Sequence, residues 1–303
     1  MTGGLVAVHA HPDDESLSTG ALLATWARAG LATTVVTCTR GERGEVIGAP
    51  LAHLEGDGPA LAAHRVGELA SALAALGVQD HVFLDEVAGT STGRFEDSGM
   101  AWLGAGRAGT ADEVPPQAFV SVDLEDAARR LARVLRDRRP AVVVTYEPGG
   151  GYGHPDHVRA HEVTRRAVEL VEPPPVLVVA VQGKRALRAG YAALGGAAVR
   201  AALGPRADDL QRPEVDGPLP SVATPDDQVD LEVDVRPVRD DVIAALRAHA
   251  TQVQAVRAID DEASLVGCYA LSNGLLAPLL PVESYRLANQ GEVAWPPGVR
   301  PIA

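Results

Sequence analysis

The chain has 303 residues, enough for one large α/β domain or two small ones with a substantial core. Its 27 basic and 40 acidic residues give a formal charge of −13, which disfavours nucleic acid and anionic membranes, since both need a basic footprint. Two cysteines, Cys38 and Cys268, are too few for a disulfide scaffold or a four-cysteine zinc site, and aromatics make up only 4%, so the core is aliphatic.

No apolar run reaches membrane-spanning length, and Met1-Thr2-Gly3-Gly4 leads into an apolar segment with no basic region before it. A cytoplasmic protein without a signal peptide is expected. Leu5 to Ala10 reads as a buried strand, and Ser16 to Ala29 as a helix stopped by Gly30. Thr33 to Thr37 is the next strand, and residues 39 to 58 are a Gly- and charge-rich loop. Pro59 to Leu76 is a helix, with Leu61, Val66, Leu69, Leu73 and Leu76 at helical spacing and Gly77 behind them. His81 to Leu84 is a short strand, residues 85 to 121 a long functional loop, and Val122 to Arg138 a helix with a charged outer face. Ala141 to Thr145 is a strand, His154 to Val171 a helix, and Pro175 to Val181 a strand. Beyond residue 182 the pattern loosens. Residues 204 to 227 read as an exposed connection, Val229 to Val235 as a strand, and Pro237 to Gln252 as a helix. The remainder reads as turn-rich, with short apolar stretches.

Alternating strands and helices are the mark of βαβ units. The expected fold is α/β: a Rossmann-like, mostly parallel sheet with helices on both faces, plus a smaller irregular C-terminal portion. Residues 1–182 form the catalytic core, and residues 183–303 pack on it and flank the active site as part of one compact unit. Ligands of such sheets sit at the carboxyl ends of the strands.

Two segments fall at such ends. His11-Pro12-Asp13-Asp14-Glu15 follows the first strand, and Tyr152-Gly153-His154-Pro155-Asp156-His157 follows the strand ending at Thr145. A single His-Pro-Asp is an ordinary turn sequence, but two of them on neighbouring parallel strands bring four metal-ligating side chains together. Two imidazoles and one carboxylate make a catalytic zinc set with an open position. Iron(II) or manganese(II) can fill the same donor set. Asp13, beside Asp14, can take a proton from water, and His154 can donate to a developing oxyanion. Asp156 can orient that imidazole and hold it protonated. The chemistry implied is metal-assisted hydrolysis of an amide or ester. His9 lies inside the strand and reads as a core histidine or a ligand's partner; His53, His64, His81 and His161 read as solvated or capping. Gly149-Gly150-Gly151 is not a phosphate loop, because no Lys-Ser/Thr follows; it lets the backbone turn tightly and lets Tyr152 move.

At these residues the chain resembles the PIG-L/LmbE family of zinc-dependent de-N-acetylases. The family's first box, Ala-His-Pro-Asp-Asp-Glu, is matched by Ala10 to Glu15, and its second, His-Pro-Asp-His, by His154 to His157. Val36 to Thr39, Gly41 to Ile47, Arg65 to Leu69, Asp97 to Met100, His249 to Val253 and Ala270 to Asn273 resemble one branch of it. That branch removes acetate from N-acetylglucosaminyl-inositol in mycothiol biosynthesis. The resemblance implies that His11, Asp14 and His157 ligate Zn2+, that Asp13 is the general base, and that His154, supported by Asp156, stabilises the oxyanion. It makes Tyr152 a mobile tyrosine near the scissile amide, and assigns Arg65, Asp97 and Gln252 to sugar and inositol hydroxyls.

The segment after Pro175 departs from that branch in lacking aromatic residues, and the stretch between Leu203 and Asp227 is short and Pro-rich. A sister branch, the amidase acting on mycothiol S-conjugates, shares the boxes. It carries a Lys shortly after the first, where this chain has Ser16, Leu17 and Ser18, and a Pro before the second, where this chain has Gly153. Family deacetylases of other aminosugar natural products are a further alternative. A non-catalytic sugar- or metal-binding protein would need neither Asp13 nor His154. A dinucleotide enzyme would need a glycine fingerprint after the first strand, which is absent.

Overall fold

A computed structural model of the chain describes residues 3–90, 93–102, 108–110, 113–260 and 262–302. The elements in chain order are β1 (Leu5–His9), α1 (Asp14–Ser18), α2 (Gly20–Arg28), β2 (Thr33–Thr37), α3 (Gly58–Leu76) and β3 (Asp80–Phe83). There follow β4 (Met100–Trp102), β5 (Ala108–Thr110), α4 (Leu124–Arg138), β6 (Val142–Tyr146), α5 (Gly150–Gly153), α6 (Pro155–Glu169) and β7 (Val176–Gly183). The rest of the chain forms α7 (Lys184–Ala193), α8 (Ala197–Leu203), β8 (Ala223–Thr224), β9 (Leu231–Asp234), α9 (Arg239–Ala248), β10 (Gln254–Ala258), β11 (Gly267–Ala270), β12 (Leu276–Leu279), β13 (Val282–Leu287) and β14 (Val299–Pro301).

The main sheet runs β14-β9-β13-β7-β6-β1-β2-β3, with β8 beside β7. From β7 to β3 the pairings are parallel; the three strands beyond β7 are antiparallel. Strand order therefore reverses between β1 and β6, which opens a crevice at their carboxyl ends. The Val-rich strands are buried on both faces, as parallel strands covered by helices must be. Leu5 and Ala7 of β1 point into the core beneath α2, α3 and α9, while Val6 and Val8 point into the one beneath α4 and α6. This is the period of two expected of a strand.

Capping explains where the helices begin. Asp57 accepts the Ala60 N–H at 3.1 Å to start α3, and the chain leaves that helix through Gly77 at φ 76°. Asp123 does the same for α4 through the Asp126 N–H, at 2.8 Å.

The α/β sheet with helices on both faces is as expected, with three differences in detail. The first helix is two, α1 and α2, broken at Thr19 (φ −142°). The Thr19 hydroxyl donates to the Glu15 carbonyl at 3.1 Å, beside the helical bond from its own N–H, and meets His9 Nε2 at 2.9 Å. The N–H groups of Ala21 and Leu22, in the first turn of α2, go to the Glu283 carboxylate. The expected loop 85–121 holds a small hairpin, β4 with β5; residues 91, 92, 103–107, 111 and 112 of it lie outside the described residues. The C-terminal portion is not irregular. It supplies α7 and α8, four strands of the main sheet (β8, β9, β13 and β14), and a separate antiparallel sheet β10-β11-β12. Its strands have 2–6 residues, too few for alternation to stand out, and a bulge at Ala255 (φ 55°) interrupts β10. Among the described residues no helix is long and apolar enough to cross a membrane.

Candidate active site and metal centre

The two boxes meet in the crevice. His11 to Asp14 leave the end of β1, and Tyr152 to His157 follow β6 through α5 into α6. Three donor groups converge. Nδ1 of His11 lies 3.3 Å from Asp14 Oδ2 and 3.3 Å from Nε2 of His157, which in turn lies 3.2 Å from Asp14 Oδ1. Ligands bound at about 2.0–2.2 Å around a tetrahedral zinc stand about 3.3–3.6 Å apart, so the spacing fits one ion.

The far sides of both rings are satisfied as ligating histidines require. His157 Nδ1 pairs with the Gly150 carbonyl at 3.1 Å, and His11 Nε2 with Asp156 Oδ2 at 3.2 Å. The Asp14 carboxylate also accepts the His11 backbone N–H at 2.9 Å, and the Tyr146 ring stacks on His157 at 4.2 Å. Buried Asp14, Asp97 and Asp156 surround the pair of imidazoles. Burial disfavours charge on His11, yet Asp97, Asp14 and Asp156 outweigh it and raise its pKa well above the ordinary value. So much buried carboxylate calls for a cation. His154 contributes a nitrogen to the same group of donors as His11 and His157, and to a second group with His11, Asp97 and Asp156.

Asp13 has an unusual backbone, φ 121° and ψ −31°. It occupies the N-cap position of α1, but its carboxylate makes no cap bond. Burial, opposed by the nearby Arg65 and assisted by Asp14, pushes its pKa up to about 7. His154 caps α6: its Nδ1 accepts the Asp156 backbone N–H at 3.1 Å, so in the neutral ring the proton sits on Nε2. Burial, then His11 and His157, lower its pKa well below the ordinary value.

Asp156 departs from the expected role. Its carboxylate receives the Ser98 N–H at 2.9 Å and faces His11, while the bond between Asp156 and His154 comes from the Asp156 backbone N–H. The reason is the capping geometry: an N-cap side chain reaches forward to backbone N–H groups, not to the next carboxylate.

Arg65, Asp97 and Gln252 line one polar cavity of about 80 Å³ with His11, Asp13, Tyr152 and His154. Arg65, a buried residue, bonds to the protein itself: to the Gly41 carbonyl at 2.6 Å and to the Pro12 carbonyl, with Asp13 Oδ1 at 3.4 Å. Asp97 accepts the Gly99 N–H at 2.8 Å, and Gln252 donates to the Glu45 carbonyl at 3.0 Å. On the other side of Tyr152 and Leu271 lies an apolar cavity of about 240 Å³, walled by Leu17, Leu187, Tyr191, Leu276 and Leu280 and reaching Asp14 and His157.

The glycine run turns as expected, with Gly150 at φ 69° and Gly151 at φ 75°. It is also pinned. Glu147 accepts the N–H groups of Gly149 and Gly151, and Ser221 Oγ donates to the Gly151 carbonyl at 2.9 Å. Ser221 sits in the stretch read as an exposed connection, where nothing in the sequence marks it. His161, read as solvated or capping, is buried and bonds the Tyr146 carbonyl at 2.8 Å. Glu15 and His249, given no role by the sequence reading, form a fully buried pair at 2.7 Å. Glu15 lies inside the first box, so its position was the available signal.

Comparison with known proteins agrees with this geometry. The family model described as GlcNAc-PI de-N-acetylase, PIG-L, matches residues 6–168, which span both boxes. The chain belongs to the PIG-L family. It is 48% identical over 295 residues to the 1D-myo-inositol 2-acetamido-2-deoxy-alpha-D-glucopyranoside deacetylase of Kineococcus radiotolerans, covering 93% of this chain and 76% of that one. It is 44% identical over 288 residues to deacetylase 1 of that name from Saccharopolyspora erythraea, covering 94% and 89%. Among solved structures, GalB, the 4-carboxy-2-hydroxymuconate hydratase of Pseudomonas putida KT2440, aligns with a TM-score of 0.53 at 16% identity, over 96% of this chain and 98% of that one. That likeness shows the fold alone. Since a protein of this fold is a hydratase, function must be argued from the site.

Proposed function

We propose that this PIG-L family protein is a zinc-dependent N-deacetylase that releases acetate from N-acetylglucosaminyl-inositol, a step of mycothiol biosynthesis. The observation that carries the reading is the convergence of His11 Nδ1, Asp14 and His157 Nε2 at 3.2–3.3 Å beside the carboxylate of Asp13, which caps no helix and stands 3.4 Å from Arg65. The substrate rests on the names of relatives 44–48% identical across nearly the whole chain.

A zinc ion held by those three side chains would supply Lewis acidity, polarising the acetyl carbonyl and making water acidic near neutral pH. Asp13, with a pKa near 7, takes the proton of the attacking water and returns it to the departing amine. His154 directs its Nε2–H toward the oxygen that gains charge as the carbonyl becomes tetrahedral. Tyr152 stands between the polar cavity and the apolar one, next to both. Arg65 fixes Pro12 and Asp13. Asp97 and Gln252 line the polar cavity on the side where sugar hydroxyls would bind.

The apolar cavity beside Asp14 and His157 favours a second reading, hydrolysis of an amide with a larger acyl group, as in the S-conjugate amidase branch. One experiment separates the two. Acetate release from N-acetylglucosaminyl-inositol is compared with cleavage of a mycothiol S-conjugate and of a simple N-acetylglucosaminide. Chelator-treated protein reloaded with zinc or iron(II) is assayed in parallel. The deacetylase reading predicts the highest kcat/KM on the inositol glycoside. Metal-loaded protein that cleaves none of the three would overturn both readings.

A further inference from the structure

We propose that the buried Glu15–His249 pair is a positioning device through which α9, in the C-terminal portion, sets the backbone of Asp13. The proposal rests on Asp13 being the base. A non-glycine residue at φ 121° persists only where its surroundings hold it. The bonds that hold it run to Glu15 and to α1. The Asp13 N–H donates to Glu15 Oε2 at 3.0 Å, and the Asp13 carbonyl accepts the N–H groups of Ser16 and Leu17, both at 3.0 Å. Glu15 is fixed in turn. Its Oε1 accepts the Ser16 hydroxyl at 2.5 Å and stands 2.7 Å from His249 Nε2.

His249 is the C-cap residue of α9, and both side chains of the pair are 0% exposed. Among the described residues Nδ1 of His249 has no hydrogen-bond partner, so the contact of Nε2 with Glu15 is the ring's hydrogen bond there. A buried pair of this kind is a poor way to gain stability, because desolvation offsets the attraction and an apolar pair packs as well. Here it has a geometric consequence. Glu15 uses one oxygen on His249 and the other on Asp13, so a shift of the imidazole is transmitted to the residue that carries the carboxylate. Arg65 braces the same turn from the opposite side, through the Pro12 carbonyl and Asp13 Oδ1.

The test uses His249→Leu, His249→Gln and Glu15→Gln in the metal-loaded full chain, each alone and combined with Asp13→Asn. We expect His249→Leu to lower kcat by up to about 100-fold, with KM and bound metal unchanged, since a displacement of about 1 Å suffices for that. His249→Gln, which keeps an N–H near the Nε2 position, recovers part of the loss. In the Asp13→Asn background His249→Leu costs nothing further, because the route through Asp13 is already gone. An equal fold-loss in both backgrounds would show a merely structural role and overturn the proposal. Wild-type kcat in His249→Leu, with Asp13→Asn impaired, overturns it while leaving the base assignment intact. Wild-type kcat in Asp13→Asn overturns both. If His249→Leu does not fold, the size-conserving Glu15→Gln and His249→Gln carry the same comparison.

Discussion

Nε2 of His11 lies 3.2 Å from the Asp156 carboxylate, on the side of the ring away from Asp14 and His157. On the proposed reading this contact makes Asp156 an outer partner of the metal ligand His11. Asp156→Asn should weaken metal affinity by about 10–100-fold, the usual effect of losing such an outer partner. Chelator competition measures it. An unchanged affinity with a large fall in kcat would instead place Asp156 with His154.

Asp13→Asn should lower kcat by about 10²–10⁴-fold while keeping the metal, because on the proposed reading its carboxylate moves protons and lies outside the donor triad of His11, Asp14 and His157. Metal content and acetate release are measured on the same preparation. His11→Ala and His157→Ala should lose the ion. Loss of metal from the Asp13 variant to the same degree would return that residue to the ligand set.

His154→Ala should lower kcat by about 10²–10³-fold with little change in KM, the pattern of a donor needed only as charge develops. The Asp156 N–H loses its acceptor in this variant, so a melting curve should accompany the kinetics. A rise in KM alone would make His154 a ground-state contact.

Gly41→Ala should impair turnover from outside the metal centre. A Cβ there would stand 1.9 Å from Arg65 Nη1, and Gly41 has φ +64°. The guanidinium must leave the Pro12 and Asp13 turn that it braces. We expect a fall in kcat of about tenfold or more, since small displacements of a reacting group are costly. Full activity in Gly41→Ala would mean that Arg65 has no part in placing Asp13.

Glu283 makes a stability prediction with a defined sign. Burial pushes its pKa up to about 6 from an ordinary 4.5, against the N–H groups of Ala21 and Leu22 and the Tyr285 hydroxyl, which lower it. The folded state binds the proton more tightly than the unfolded chain, so this group's contribution falls as pH rises from 4.5 to 6. Denaturant unfolding across that window should show the gap between wild type and Glu283→Gln shifting toward the variant as pH rises. A gap independent of pH would sink the assignment.

The sequence alone determined the parallel half of the sheet and the identity of the two boxes. Val-rich runs such as Val142 to Tyr146, capping residues such as Asp57 and Asp123, and stops such as Gly77 act through neighbours a few residues away, and local signals survive in sequence. The proposed ligands His11, Asp14 and His157 stood out as candidates for the same reason, since each box carries its donor residues at short spacing after a strand. Tertiary structure decided which atoms meet. That Asp156 serves His11, that Ser221 pins the Tyr152 turn, and that His249 reaches Glu15 across 234 residues are contacts between distant segments. The antiparallel C-terminal strands were hidden likewise, because each is short and becomes a strand only by pairing along β7 or within β10-β11-β12.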